Sequence, residues 1–273
     1  MGKFTNKVVF ITGSSKGIGK YTAHEFLKAG AKVVLNGRDK IVLNETAEEF
    51  SEFKDRILQI PADVSETKAF REALEATVSH FGQLDVLILN AGLSSSGLIS
   101  DTEDAMLESV MQVNALGPFR GAKLALPYIE KTKGSIVFIS SIAGLHGIPY
   151  SAVYSMSKMA LTALGQSLKT ELTGKGIHVG IVYVGFTKND PRKLTVKPDG
   201  STMPIQDRPA WIQQQPEKVA RLILNVVRRR RFKKVLSPAG KIMAFGSRYL
   251  PRLWQFGMRG MLKSAEKLTR AEE

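Results

Sequence analysis

The chain has 273 residues, of which 43% are apolar and 23% are charged, and its formal net charge is +14. This length and composition suit one large folded domain and exclude a disordered chain. Cysteine is absent, which excludes a disulfide framework and a thiolate site. The four histidines lie far apart, without the spacing of metal ligands. We therefore expect a protein of a reducing compartment with no bound metal.

The positive charge is unevenly distributed along the chain. From Arg221 to the end there are 14 Lys and Arg against 3 Asp and Glu, so this segment carries +11 of the total. A run of arginines at 228–231 lies there, but no recognisable nucleic-acid-binding module accompanies it, and we expect no specific nucleic acid partner. The apolar stretch that begins at Val8 leaves no room for a signal peptide, which predicts a cytoplasmic protein.

Short apolar runs rich in β-branched residues alternate with helical segments along most of the chain. This alternation predicts a doubly wound α/β fold with a parallel sheet, because parallel strands need crossover helices on both faces. We expect one helix to end at Gly30 and another to run from Thr67 to just before Gly82. The predicted strands are 7–12, 32–36, 56–59, 85–90, 135–140 and 178–184.

The first strand runs into a glycine-rich turn at the start of the next helix. Glycines let the backbone turn tightly and approach a pyrophosphate, which the positively polarised N-terminus of the helix attracts. Such a turn also suits an ordinary strand-to-helix connection, but its place after the first strand favours a dinucleotide cradle. The predicted cofactor-binding residues of the turn are Gly13, Ser15, Lys16, Gly17, Ile18 and Gly19.

The end of the second strand distinguishes NAD from NADP. A carboxylate there holds the ribose 2′-hydroxyl of NAD, whereas a basic residue receives the 2′-phosphate of NADP. No acidic residue stands at Asn36 or Gly37, and the cations of Arg38 and Lys16 suit a phosphate. We therefore expect NADP(H) as the cofactor. Both cations also suit a solvated surface, where Asp39 would neutralise part of the charge of Arg38.

Further motifs follow the later strands in a fixed order. Residues 12–19 match the pattern TGxxxGxG, residues 154–158 match YxxxK, and Asn114 lies between them in a Val-Asn-Ala segment. With these motifs, residues 5–190 resemble the short-chain dehydrogenase/reductase family. The resemblance implies further cofactor contacts from Asp63, Val64, Asn90, Ala91, Gly92, Tyr154 and Lys158.

Tyr154 and Lys158 carry the predicted chemistry. A hydride delivered to a ketone leaves an oxygen that needs a proton, and a tyrosine with a pKa near about 10 gives its proton up poorly. Residues four apart on a helix share a face, so we expect the Lys158 cation to lower the pKa of Tyr154. The family resemblance implies that Ser141 holds the substrate oxygen and that Asn114 fixes a water. Each residue also suits an ordinary structural role, but their joint occurrence favours one site.

The segment after the sixth strand departs from the family pattern. Val184 and Gly185 replace the usual Pro-Gly, and the usual threonine is absent, which leaves Thr187 as the candidate for contact with the cofactor carboxamide. Polar residues and repeated prolines over residues 186–216 predict a long excursion, which we interpret as a substrate lid.

Residues 238–273 are predicted to form a basic amphipathic extension beyond a catalytic domain of residues 1–237. Apolar residues such as Phe245, Trp254 and Phe256 interleave with Arg248 and Arg252, a pattern that suits peripheral contact with a membrane. A cover over the protein's own substrate pocket and a dimer contact stay equally open. The layout resembles the 11β-hydroxysteroid-dehydrogenase-like branch of the family and the lipid ketone reductases, which implies a lipophilic carbonyl substrate.

Together these features predict an NADPH-dependent carbonyl reductase or alcohol dehydrogenase of lipid metabolism. Its substrate is expected to be a lipophilic ketone or secondary alcohol, such as a steroid or a ketosphinganine-like lipid. We expect a homodimer, with peripheral contact at the inner face of a membrane through the extension. The alternative from another class is a catalytically silent sensor or scaffold that binds NADP(H), because a fold does not guarantee chemistry.

Overall fold

The structure is a computed structural model that describes residues 3–205 and 208–258. Its strands are β1 (Val8–Ile11), β2 (Lys32–Gly37), β3 (Ile57–Pro61), β4 (Val86–Leu89), β5 (Ser94–Ser95), β6 (Ser135–Ser141), β7 (His178–Val184), β8 (Leu194–Val196), β9 (Thr202–Pro204) and β10 (Lys233–Val235). Its α-helices are α1 (Gly17–Lys28), α2 (Lys40–Glu49), α3 (Thr67–Phe81), α4 (Asp104–Met111), α5 (Gly117–Thr132), α6 (Ala152–Glu171), α7 (Pro216–Arg228) and α8 (Pro238–Tyr249).

A parallel sheet of seven strands forms the centre of the fold, in the order β10-β7-β6-β4-β1-β2-β3. Every neighbouring pair in it is parallel, which confirms the predicted doubly wound α/β class. The direction of winding reverses between β1 and β4. Ligands of such folds bind in the crevice beyond the carboxyl ends of the strands at this reversal.

The two faces of the sheet carry separate apolar cores. Successive residues of β1 alternate between them, so that Val9 and Ile11 join one core while Val8 and Phe10 join the other. Residues of α1, α2 and α7 complete the first core, and residues of α3, α5 and α6 complete the second. Because both faces are covered, the central strands are the continuous apolar runs seen in the sequence.

The sequence predictions of element bounds agree with the structure to within a few residues. Helix α1 ends at Lys28, and Gly30 follows with a φ of +93°, a conformation that glycine adopts without strain. Helix α3 ends immediately before Gly82, whose φ of +80° forms a left-handed C-cap. The edge strand β10 was not predicted, because Lys233 and Lys234 make it polar, and lysines are common on exposed sheet edges.

The segment predicted to be a long excursion contains a buried element, and that part of the prediction is corrected. Strand β8 pairs in parallel with β5 and antiparallel with β9, which gives a second, three-stranded sheet. Thr195 and Val196 are buried in it, and Val196 packs with Met106 and Val110 of α4. Only two residues of this otherwise polar segment are buried, and two residues are too few to show the periodicity by which a strand is predicted.

The carboxyl-terminal segment is helical as far as the structure describes it. After α8, residues 251–258 are again helical, and Trp254 packs against Gly246 of α8 and edge-on against His146. The rest of the predicted extension, residues 259–273, lies outside the described residues. Within residues 3–205 and 208–258, no helix combines the length and the apolar character needed to cross a bilayer.

Candidate active site

The glycine turn between β1 and α1 is packed too closely for a side chain at two of its positions, Gly13 and Gly19. Gly13 has a φ of +63°, and a Cβ added to it would lie 2.9 Å from the Cα of Ala91. A Cβ on Gly19 would collide with the carbonyl oxygen of Gly13. The turn therefore presents bare backbone at the N-terminus of α1, which is the arrangement that a pyrophosphate requires. Ile18 of the same turn packs against the adjacent core.

Asn90 holds this turn to the end of β4. Its side-chain amide donates to the carbonyl oxygens of Thr12 and Gly13, each at 2.9 Å. The hydroxyl oxygen of Thr12 in turn accepts from the backbone N–H groups of Asn90 and Ala91 at 2.9 Å. The amide of Asn90 is thus a structural tether, while Ala91 and Gly92 continue into the cleft.

The end of the cleft beside β2 and β3 contains an ion pair that the sequence did not reveal. Arg38 lies 3.6 Å from the carboxylate of Asp63, whereas Asp39 caps α2 by accepting from two of its N–H groups. Burial raises the pKa of Asp63, but hydrogen bonds from Ser65 and the charge of Arg38 outweigh it and hold that pKa below its ordinary value. Asp63, and not Asp39, is therefore the carboxylate that competes for Arg38.

Two other predicted residues of this end are buried. Val64 is 6% exposed and packs at the start of α5, where a Cβ on Gly117 would lie 3.1 Å from its carbonyl oxygen. Ser15 lies against the end of β2, and a Cβ on Gly37 would lie 2.8 Å from its hydroxyl oxygen. The glycine turn and the ends of β2 and β3 thus form one continuous surface.

The side chain of Lys16 contacts the predicted lid. Its amine donates to the backbone carbonyl of Arg192 at 2.9 Å, and the backbone N–H of the adjacent Gly17 donates to the carboxylate of Asp190 at 3.2 Å. Both partners belong to the predicted lid. No local motif signals these contacts, because more than 170 residues separate the partners, with sequence separations of 176 and 173.

Tyr154, Lys158, Asn114 and Gly92 meet at the other end of the cleft. The amine of Lys158 lies 5.7 Å from the centre of the Tyr154 ring and donates to the carbonyl oxygen of Ile139 at 3.2 Å. A Cβ on Gly92 would lie 3.2 Å from both the Lys158 amine and the Asn114 side-chain oxygen. Burial, assisted by the charge of the nearby Lys193, lowers the pKa of Lys158 to about 7.

The pKa of Tyr154 differs from the sequence prediction. Burial raises it above its ordinary value, and this effect exceeds the lowering by hydrogen bonding from Ser141 and by the charge of Arg208. Among the described residues, Arg208 of the predicted lid is the cation whose charge opposes the shift, and it is stacked on Phe186 at 4.0 Å. Lys158, with a pKa of about 7, is uncharged at the pH where a phenol with a raised pKa titrates, so its charge does not lower the pKa of Tyr154.

Asn114 lies in a π-helical turn, Gln112–Leu116, between α4 and α5. Its side-chain amide donates to the carbonyl oxygen of Leu93 at 2.9 Å and to the hydroxyl of Ser157 at 3.0 Å. Its side-chain oxygen accepts from the N–H of Leu93 at 2.7 Å. Because both N–H groups of the Asn114 side chain are already used, a water at this residue would have to donate its hydrogen bonds to oxygen acceptors. Turns of this kind are frequent at functional sites.

The two serines at the end of β6 have different roles in the structure. Ser140 is 2% exposed and donates to the backbone carbonyl of Lys158 at 2.9 Å, so it fixes α6 against the sheet. Ser141 ends the strand at the cleft, where its hydroxyl also accepts from the N–H of Ala143 at 3.3 Å. Thr187 donates to the carbonyl of Gly185 at 3.3 Å, which leaves its hydroxyl engaged within its own turn.

The residues of the cleft fit a nicotinamide dinucleotide. Bare glycine backbone stands at a helix N-terminus, basic side chains line the groove, and a tyrosine lies beside a buried lysine at its end. In the part of the chain that the structure describes, no cluster of histidine and acidic side chains is suited to hold a metal ion. Fold and cleft together define a class, the dinucleotide-binding oxidoreductases of the doubly wound fold.

Comparison with known proteins narrows this class. The family model for short chain dehydrogenases matches residues 7–198. Dehydrogenase/reductase SDR family member 7B of Danio rerio is 34% identical, over 98% of this chain and 88% of its own length. The 11-beta-hydroxysteroid dehydrogenase-like 2 of Arabidopsis thaliana is 37% identical, over 68% of this chain and 61% of its own length.

The chain therefore belongs to the short-chain dehydrogenase/reductase family, near the branch that these two relatives represent, and is an oxidoreductase of the kind that binds a nicotinamide cofactor. A solved short-chain dehydrogenase/reductase from Burkholderia phymatum, in complex with NAD, superposes with a TM-score of 0.77. The two chains are 23% identical, and the match covers 89% of this chain and 92% of the solved chain. This likeness confirms the fold.

Proposed function

We propose that the protein is an NADPH-dependent reductase of a lipophilic carbonyl compound, with Tyr154 as the proton donor. The observation that carries this proposal is the placement of Ser141 at the end of β6 and of Tyr154, 5.7 Å from the amine of the buried Lys158, at the end of a dinucleotide groove. A catalytically silent protein that only binds the cofactor would not need Ser141, Tyr154 and Lys158 together.

The protein's part in the reaction is to orient the carbonyl and to supply the proton. A bound nicotinamide supplies or accepts the hydride at the carbonyl carbon. The hydroxyls of Ser141 and Tyr154 hold the carbonyl oxygen, and Tyr154 transfers its proton to that oxygen as negative charge develops there. The raised pKa of Tyr154 keeps the phenol protonated at neutral pH, which is the form that reduction requires. Lys158, with a pKa of about 7, is suited to return the proton.

The choice of NADP(H) over NAD(H) is supported by the two cations near the predicted 2′-phosphate position. Arg38 remains 64% exposed in spite of its 3.6 Å pair with Asp63, so its guanidinium is accessible to a second anion. Exposed ion pairs of this kind are weak, so Arg38 loses little free energy when it exchanges the Asp63 carboxylate for a phosphate. No carboxylate among residues 36–38 is available to select the 2′-hydroxyl of NAD.

A lipophilic substrate is supported by the apolar side chains exposed around the lid. Trp211 of the lid is 86% exposed, and Ile99, which follows β5 of the lid's small sheet, is 74% exposed. Exposed apolar side chains of this size favour an apolar partner. β5 pairs with β8 in the small sheet, so the segment that carries Ile99 is joined to the predicted lid.

Peripheral membrane contact is supported by exposed apolar side chains of the carboxyl-terminal helices. This set, called the tail face, consists of the exposed residues Ile242, Phe245, Tyr249, Leu253 and Phe256. Ile242, Phe245 and Tyr249 share one side of α8 by their spacing, while Met243 and Gly246 face the protein. The helix breaks at Leu250, and Leu253 and Phe256 share one side of the helical residues 251–258. Lys241, Arg248 and Arg252 supply positive charge for anionic lipid. Trp254 is not part of the tail face, because it packs against Gly246.

The tail face is tested by sedimentation with vesicles that contain an anionic phospholipid. The double variant Phe245→Gln and Leu253→Gln is expected to remain in the supernatant while the wild type sediments. The matched control is Ile41→Gln, since Ile41 is 72% exposed but lies on α2. Equal sedimentation of the double variant and the wild type would refute the membrane contact.

A homodimer is supported by apolar side chains on the outer faces of two neighbouring helices. Phe119 of α5 and Met156 and Met159 of α6 are between 45% and 50% exposed. An adjoining groove of about 500 Å³ is lined by Met156, Met159, Ile148 and Met258. Since Met156 is 200° around the helix from Tyr154, at 100° per residue, this surface faces away from the cleft.

The proposed function is tested by following the oxidation of NADPH at 340 nm with steroid, sphingoid and small water-soluble ketones. We expect turnover with the lipophilic ketones and a preference for NADPH over NADH. Absence of turnover with any carbonyl, together with intact NADPH binding, would favour the silent scaffold instead.

A further inference from the structure

Residues 189–193 of the lid, called the strap, lie across the glycine turn. They follow β7 on one side of the winding reversal, yet they contact the start of α1 on the other side. The strap thus crosses the groove in which the proposed function requires the cofactor to bind.

Asp190 supplies α1 with the N-terminal anion that its own sequence lacks. Within α1, all of whose residues are described, the first turn contains no acidic residue, and the side chain of its N-cap residue Lys16 makes no capping hydrogen bond. The Asp190 carboxylate accepts instead from the Gly17 N–H at 3.2 Å. A negative charge is stabilised at this end of a helix by the helix dipole and the free N–H groups.

Further contacts hold Asp190 in this position. Arg192 donates to the Asp190 carboxylate at 3.3 Å and pairs with Glu45 of α2 at 3.2 Å. The backbone carbonyl of Arg192 accepts from Lys16. Burial raises the pKa of Asp190, but hydrogen bonds from Arg192 and Gly17 outweigh it and keep that pKa below its ordinary value. The carboxylate is therefore charged at neutral pH.

The groove next to Asp190 is rich in positive charge. Lys193 of the strap is enclosed in it, and its pKa is lowered by burial and by the charge of Lys16, whereas Asp190 raises it. Lys193 also contributes to the lowered pKa of Lys158 at the far end. The cations of the groove thus extend from the glycine turn to the catalytic lysine, and Asp190 is the carboxylate whose charge acts on Lys193 among them.

We propose that Asp190 is an internal competitor of the cofactor pyrophosphate, so that the strap must leave the N-terminus of α1 before a nicotinamide dinucleotide can bind. This inference rests on the proposed function. Both anions need the Gly17 N–H and the same helix end, so their occupancies exclude each other. The apparent affinity for the cofactor is then the intrinsic affinity reduced by the fraction of molecules in which the strap is open.

The test is the dissociation constant of NADPH, measured by fluorescence titration of the full chain. Asp190→Ala is expected to bind NADPH about three- to tenfold more tightly than the wild type, in proportion to the stabilisation of a carboxylate at a helix N-terminus. The matched control is Asp199→Ala. Asp199 belongs to the same lid and also accepts from the N–H two residues ahead, but its partners Ser201 and Lys197 lie within the lid.

Two further variants keep the test decisive. Asp190→Asn retains the shape of the side chain and is expected to tighten binding less than alanine does, because a neutral acceptor gains less from the helix end. Glu45→Gln removes the exposed anchor of Arg192 and is expected to tighten binding by less than about twofold. Unchanged or weaker NADPH binding in both Asp190 variants would overturn the proposal.

A second readout separates this inference from the proposed function. NADPH is expected to increase amide hydrogen exchange in residues 189–193 of the wild type, and Asp190→Ala is expected to show the increased exchange without it. Inorganic pyrophosphate serves as a probe that involves no nicotinamide. If the wild type binds no dinucleotide, the proposed function fails, while the pyrophosphate affinities of wild type and Asp190→Ala still decide the competition.

Discussion

The two ends of the cleft are built in different ways. At the catalytic end, Tyr154 and Lys158 stand on one helix and Ser141 ends the strand before it, so neighbours in sequence form the site. At the phosphate end, Asp190 and Arg192 reach the glycine turn from 173 and 176 residues away. The comparison teaches that the chemistry of this enzyme class is encoded locally, whereas access to the cleft depends on long-range contacts.

The largest expected effect is at the catalytic end. Tyr154→Phe should reduce turnover by about 10³-fold or more, because it removes the proton donor, in keeping with the usual contribution of acid–base catalysis. The dissociation constant of NADPH should change by less than about twofold, because the phosphate end is untouched. Steady-state kinetics and fluorescence titration measure the two quantities. Substantial turnover by the variant would show that another group supplies the proton.

Lys158 is expected to make stability depend on pH. Its pKa is about 7 in the folded protein and ordinarily 10.5, so between these values the unfolded chain binds the proton and the folded protein does not. The wild type should therefore gain stability relative to Lys158→Met as pH rises from 7 toward 10.5, by at most about 1.4 kcal/mol per pH unit. Below pH 7 the difference should be constant. Urea unfolding at several pH values checks this, and parallel curves for both proteins would contradict it.

A smaller effect is expected at the glycine turn. Gly19→Ala should cost about 1–3 kcal/mol of stability, because the added methyl group collides with the Gly13 carbonyl and with the Asn90 amide. It should also weaken NADPH binding. Gly147→Ala is the control, since nothing lies within 4 Å of a Cβ there. Equal unfolding midpoints for the two variants would show that the turn can widen.

The smallest effect is expected at Arg38. Arg38→Ala should weaken NADPH binding by about tenfold, the value of a charge-assisted hydrogen bond, and leave NADH binding within about twofold. The ratio of the two dissociation constants is the measurement, and NADH is the internal control. An equal loss for both cofactors would assign Arg38 to the fold through Asp63, and would transfer the choice of cofactor to Lys16.

The sequence predicts the fold and the catalytic end for the same reason. Buried strands and YxxxK are short-range patterns, and the structure brings the Tyr154, Lys158, Asn114 and Gly92 motifs together in one cleft. It could not predict that burial raises the pKa of Tyr154 and lowers that of Lys158 to about 7, which left the expectation about the pKa of Tyr154 wrong. Burial of this kind depends on tertiary neighbours and has no pattern in the chain.

The contacts of the strap at the phosphate end and the packing of Trp254 in the tail could not be predicted from the sequence, for a different reason. Asp190 occurs in an ordinary turn segment, and only the fold shows that it serves α1 as a capping anion. Trp254 is a residue type expected at a membrane interface, yet it packs inward because Gly246 has no side chain there. In both cases the side chain's role is decided by a partner that is remote in sequence or by a missing side chain.

The strap and Arg208, whose charge acts on the phenol, both belong to the predicted lid, which begins where β7 ends. We expect the displacement of Asp190 also to disturb the segment that carries Phe186 and Arg208. The expected kinetic consequence is a compulsory order, in which the nicotinamide dinucleotide enters first and leaves last. NADP⁺ should then inhibit competitively against NADPH, whereas the alcohol product should inhibit noncompetitively against both reactants.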